Sequence, residues 1–175
     1  LAAGRTTSRA LTEQALEAAS GGSEAGATFV AVHAEAARAT ADAIDRLRGA
    51  GLPLPPLAGL PLSIKDLFDE AGQVTRAGSR VLADAAPAAA DSTVVQRLRA
   101  AGAVIVGRTN MTEFAYSGLG LNPHYGTPRN PWDRASGRIP GGSSSGAAVS
   151  VTDGMAVAAV GTDTGGSVRI PSAFC

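Results

Sequence analysis

Residues 91–108, DSTVVQRLRAAGAVIVGR, constrain the fold more than any other stretch of this chain. Asp91 or Ser92 can cap an amphipathic helix, and Gly102 ends it. AVIVGR, residues 103–108, follows at once and reads as a buried strand. A helix that delivers the chain directly into a short apolar strand is the grammar of an α/β fold with parallel pairing.

The flanking segments fit that expectation. Residues 8–19, SRALTEQALEAA, predict a helix capped by Ser8, with Leu11, Ala15, Leu16 and Ala19 on its apolar face. ATFVAV, 27–32, is short, β-branched and aromatic, and predicts a strand. A second helix runs from His33 to Ala50 and closes at Gly51. The proline-rich connector 51–60 forbids a helix interior. It leads into a strand over about residues 60–64, with Lys65 at its end. Residues 119–140 form a long polar loop with four prolines, a length usually associated with function or mobility. Beyond it, the order is a glycine-serine loop, a short helix, a buried strand over the apolar run before Gly161, and a second glycine-serine loop.

Composition narrows the function classes. Fifteen basic residues cancel fifteen acidic ones, so neither nucleic acid nor an anionic membrane is indicated as a direct partner. A partner that itself handles RNA stays open. No apolar stretch approaches the roughly 18 residues of a membrane span, and no signal peptide is legible. Cys175 is the only cysteine, which fits a reducing, cytoplasmic setting. With one cysteine and two distant histidines, His33 and His124, a zinc site is not expected.

Glycine is clustered, with seven of the 22 between positions 141 and 166. That segment carries hydroxyls in PGGSSSG and in GTDTGGSVRIPS, where Gly165 and Gly166 directly precede Ser167. A serine nucleophile needs a base. Neither histidine has the context of a Ser-His-Asp triad, and the G-x-S-x-G elbow is missing around Ser167. A lysine can serve once it is neutral, which requires burial or nearby cations. Lys65 is the only lysine in the chain, within the apolar run LPLSIKDLF. It reads either as an edge residue with its amine in water or as a desolvated base. Asp66 beside it can equally form an ordinary surface pair. PGGSSSG reads as a helix-capping turn or as an anion nest, and its sequence does not match the phosphate-binding P-loop.

Taken together, SIKD at 63–66, PGGSSSGAA at 140–148 and GTDTGGSVRIPSAFC at 161–175 resemble the amidase signature family. RLRAAGAVIVGRTNMTEFA and NPHYGTPRNPWD between them resemble it too. The likeness runs from Ala58 to Cys175, with Ser167 following Ser143 by 24 positions. GSSSGAA stands where many members have GSSGGSA.

The resemblance implies a mixed, largely parallel β-sheet flanked by helices on both faces, incomplete in this chain. It implies residues 1–57 as an N-terminal helical region and 58–175 as a catalytic core segment. By residue, it implies Ser167 as nucleophile, Ser143 as bridging serine after a cis Gly142–Ser143 peptide, and Lys65 as base. Amides of Thr164, Gly165, Gly166 and Ser167 would form the oxyanion hole. Ser144, Asp163 and Arg169 would support the loop, and Thr109, Asn110 and Met111 would line the substrate pocket. The implied reaction is hydrolysis of an amide or carbamate through an acyl-enzyme, with neither metal nor organic cofactor. Two other readings stay open: the glutaminase subunit of a tRNA-dependent amidotransferase, and a non-catalytic scaffold. The expected partners are a small-molecule substrate and the remainder of the enzyme chain, with a homodimer left open.

Overall fold

The computed structural model describes residues 1–175. Its centre is a four-stranded sheet in the order β1-β3-β2-β4. The strands are β1 (Phe29–Val32), β2 (Pro61–Lys65), β3 (Val104–Thr109) and β4 (Ala158–Val160). β2 pairs in parallel with β3 and β4, and β1 runs antiparallel to β3. The sheet is therefore mixed and largely parallel, as expected.

Side-chain alternation assigns the helices to its two faces. Val104 and Val106 of β3 are fully buried against Leu16 of α1 (Ser8–Gly21) and Ala37, Ala41 and Ile44 of α3 (Ala34–Gly49). Ile64 and Ile105 point the other way, onto Val95 of α4 (Thr93–Ala100). Burial of each valine, leucine or isoleucine among them contributes roughly 2 kcal/mol. The short helix α2 (Ala25–Thr28) precedes β1. Helix α5 (Ser145–Thr152) lies on the α1–α3 side, where Ser150 Oγ meets Ser63 Oγ at 2.9 Å. A last short helix, α6 (Arg169–Phe174), follows the second glycine-serine loop. No helix is long and apolar enough to cross a membrane.

Several local expectations shift. Thr7, not Ser8, caps α1, its hydroxyl accepting from Ala10 N at 3.0 Å. Ser8 is fully buried, and its hydroxyl accepts from Arg48 instead. Residues 27 and 28 belong to α2 because Thr28 N and Oγ1 both donate back to Glu24 O, each at 2.8 Å. β4 is not buried: it pairs only with β2, and Ala158 is exposed. The 119–140 loop has no regular structure yet is tied down. Asn122 Nδ2 donates to the carbonyls of Gly78 and Met111, and its Oδ1 accepts from His124 N and Tyr125 N.

Candidate active site

Lys65 is the last residue of β2 and is fully buried. Period-two alternation puts it on the same face as Ser63, toward the α5 side. Asp66 turns to the opposite side. It is fully buried there and accepts from Arg108 Nε at 3.0 Å, so it forms no surface pair.

Lys65 Nζ donates to Ser143 Oγ at 2.7 Å and to Thr162 Oγ1 at 2.8 Å. No carboxylate hydrogen-bonds the amine. Burial therefore pushes its pKa down, from 10.5 to about 8, with the field of Asp163 pulling weakly the other way. The amine is desolvated and does not extend into water.

Ser143 sits where two loops converge. The Gly142–Ser143 peptide is cis. Gly142 N donates to Gly118 O at 2.8 Å, and Ser143 O accepts from Thr112 N at 3.0 Å. A Cβ at Gly142 would lie 2.6 Å from Gly120 N and 2.7 Å from Thr112 Oγ1, so only glycine fits. Ser144 N then donates to Ser167 O at 3.1 Å, which fastens the second glycine-serine loop to the first. Ser144 Oγ reaches Thr162 O at 3.5 Å, the long limit of such a contact. The Ser167 hydroxyl makes no hydrogen bond, and the side chain is half-buried.

The loop around Ser167 is organised by one carboxylate. Asp163 Oδ1 accepts from Gly166 N at 2.8 Å, and Oδ2 accepts from Val168 N at 2.9 Å and Arg169 N at 3.0 Å. The Arg169 guanidinium adds contacts of 2.8 and 3.1 Å. Together these hold the Asp163 carboxyl far below the usual carboxylate range, Arg169 contributing most. Asp163 and Arg169 are paired with each other. The Gly166 amide, expected to face a substrate oxygen, is spent on Asp163, whereas the amides of Thr164, Gly165 and Ser167 make no hydrogen bond. A Cβ at Gly165 would meet nothing within 4 Å, so packing does not account for that glycine.

The model of the amidase family matches residues 10–175. The chain belongs to the amidase signature family. It is 47% identical over its full length to AtzE, a component of the 1-carboxybiuret hydrolase of Pseudomonas sp. (strain ADP), covering 38% of that protein. It is 46% identical, again over its full length, to a glutamyl-tRNA(Gln) amidotransferase subunit of Chromohalobacter salexigens, covering 35% of it. Among solved structures, the native peptide amidase from Stenotrophomonas maltophilia superposes with a TM-score of 0.85 at 36% identity, over 98% of this chain and 36% of that one. The chain thus spans little more than a third of the length of these amidase signature relatives.

The block TNM, expected to line the pocket of an amidase, is packed into the end of the sheet. Thr109, Asn110 and Met111 are all fully buried. Thr109 Oγ1 donates to Ile64 O, and Asn110 Nδ2 donates to the carbonyls of Ala27 (2.9 Å) and Gly126 (2.8 Å). The Asn110 amide is consumed in tying α2 and the 119–140 loop to the end of β3, so it has no donor left for a ligand. A cavity of about 220 Å³ lies between α5, β4 and α6, lined by Ser144, Val151, Val168, Pro171 and Cys175 among others. Burial pushes the Cys175 thiol up to about 11, which keeps it protonated and unreactive.

Thr162 was not singled out by the sequence, although its hydroxyl touches the lysine. Only its place in GTDTGGS, five positions before Ser167, hints at it.

Proposed function

We propose that this segment carries the catalytic serines and lysine of an amidohydrolase. The observation that supports this best is a solitary buried amine, 2.7 Å from the Ser143 hydroxyl and without a carboxylate partner. At a pKa of about 8, roughly a tenth of such an amine is neutral at pH 7. The neutral form can take a proton from Ser143 as Ser143 takes one from Ser167. Ser167 Oγ then attacks the carbonyl carbon, and the C=O π pair moves to oxygen. Backbone N–H groups of Thr164, Gly165 and Ser167 stabilise that oxyanion, each worth on the order of 3 kcal/mol of barrier. When the C–N bond breaks, the proton held by Lys65 returns through Ser143 to the leaving nitrogen. Water next attacks the acyl-enzyme by the same relay, which releases the acid and restores Ser167.

The direct test is labelling by a serine-reactive fluorophosphonate, with the adduct mapped by peptide mass spectrometry. The expected adduct is on Ser167 in the wild-type protein, and it disappears in Lys65→Ala. An adduct elsewhere, or equal labelling in Lys65→Ala, sinks the mechanism. The rate on an activated amide should also rise with pH, about tenfold per unit below pH 8, and level off above it.

A second reading is favoured by the match, along the whole of this chain, to a glutamyl-tRNA(Gln) amidotransferase component. In it the same relay cleaves glutamine and delivers ammonia to a partner. Glutaminase activity that ATP and a partner protein stimulate would select this reading. Turnover of simple amides or carbamates without a partner would select the stand-alone hydrolase.

A further inference from the structure

Lys65 has two acceptors, and the mechanism above uses only one of them. A protonated amine carries three N–H donors and a neutral one carries two donors and a lone pair. Ser143 Oγ at 2.7 Å and Thr162 Oγ1 at 2.8 Å are the only partners of Nζ. The two hydroxyls arrive from different loops, the second lying 97 positions from the lysine. For Lys65 to receive a proton from Ser143, its lone pair must face Ser143. Rotation about the terminal C–N bond would otherwise let any of three positions face it.

We propose that Thr162 is a positioning residue for Lys65, its hydroxyl accepting one N–H in both charge states so that the position facing Ser143 alternates between N–H and lone pair. This rests on the reading of Lys65 as the base. The role requires an acceptor that does not itself take the proton, and an alcohol meets that requirement where a carboxylate would fail. A carboxylate at 162 would pair with the ammonium and keep it charged. The charged groups around the amine fit the same logic. Asp163 is turned away into its own amides and Arg169. Asp66 lies on the other side of the strand, against Arg108. The anchoring loop is itself anchored: a Cβ on the preceding Gly161 would lie 2.6 Å from Ser144 Oγ.

Removing the hydroxyl has two consequences. The neutral amine loses its orientation, which lowers the rate. The ammonium loses one of its two acceptors, which disfavours the charged form and moves the titration to lower pH. The test compares Thr162→Val and Thr162→Ser with Lys65→Met in the full-length protein, following kcat/KM on an activated anilide between about pH 6 and pH 10. Thr162→Val should lower the high-pH plateau by ~10- to 100-fold and shift the midpoint of the limb down by about half a unit or more. Thr162→Ser should keep both within ~3-fold and ~0.2 unit. A Thr162→Val protein with the wild-type limb and plateau, beside an inactive Lys65→Met, overturns the positioning role and leaves the base intact. Equal losses in Thr162→Ser and Thr162→Val overturn it too, since the methyl packing and not the hydroxyl would then matter. An active Lys65→Met removes the underlying mechanism itself.

Discussion

Lys65 and Asp66 are adjacent in the chain, equally buried, and opposite in environment. On one side of β2, the lysine meets two hydroxyls and no anion. On the other, Asp66 meets the buried Arg108 guanidinium, which also lies 3.5 Å from Glu70. Glu70 in turn accepts from His33 at 2.9 Å and from Arg99 at 2.8 Å. The same backbone thus supports a polar site with one ionisable group and a densely paired charge network. Burial disfavours charge on both sides. Only on the paired side does a hydrogen-bonded opposite charge oppose it: burial raises the Asp66 pKa and Arg108 pulls it back, whereas Lys65 feels only the field of Asp163, which does not touch it. Hydroxyls cannot do that for Lys65, so the lysine yields its proton near neutral pH.

Lys65→Met breaks this contrast most severely. Turnover should fall ~10³-fold or more, as expected for loss of a general base. Stability should not fall with it. The unfolded lysine titrates near 10.5 and the folded one near 8, so the unfolded chain binds more protons between those values. Wild-type stability therefore climbs with pH across that window, and below it the full cost of the buried charge is present. That cost is ~3 kcal/mol at pH 7, against ~1 kcal/mol for each hydroxyl left without its partner. Urea unfolding at pH 7 should find the variant as stable as wild type or more so, without the rise toward pH 10. A variant that is inactive because it is unfolded would contradict the contrast.

Asp66→Asn tests the other side. Arg108 stays charged and fully buried with its partner neutralised, at a cost of ~3 kcal/mol. The pH midpoint of the activity limb should stay near that of wild type in whatever protein remains folded. Asp66→Leu with Arg108→Met should recover most of the lost stability, because the pair's desolvation cost disappears with its attraction. A normal denaturation midpoint for Asp66→Asn alone would mean that Glu70 and the Thr75 hydroxyl, which accepts from Arg108 Nη2 at 3.3 Å, already satisfy the arginine.

What the sequence disclosed follows the range of the interactions. The α4–β3 unit was legible because its signals are local: a cap, an amphipathic run, Gly102 and then an apolar strand. Lys65, Ser143 and Ser167 were legible because each lies in a short, unusual block. Thr162 was not, since a threonine in a loop carries no mark of a lysine 97 positions away. The contacts of Asn110 were hidden for the same reason. Its amide is spent on the carbonyls of Ala27 and Gly126, and nothing in TNM indicates that. The apolar run of β4 reports the tendency to be buried, and within residues 1–175 its only strand neighbour is β2. Asp66 combined both problems: a surface pair and a buried pair have the same local sequence.

The smallest expected effect separates the two kinds of support that Asp163 receives. Its carboxylate holds three backbone amides and one guanidinium, yet Arg169 is 74% exposed at its side chain while Asp163 is 19% exposed. Water screens the ion pair and competes with it. The backbone contacts fix the bend itself. Asp163→Asn should therefore lower kcat by ~10-fold through a loosened Ser167 loop. It should also move the activity limb slightly to lower pH, since the one anion that raises the Lys65 pKa is removed. Arg169→Ala should cost no more than ~3-fold and leave the limb where it is, because Asp163 stays ionised on its amides. Similar losses in the two variants, with no displacement of the limb in Asp163→Asn, would mean that the exposed guanidinium holds the loop and that the field of Asp163 does not reach the amine.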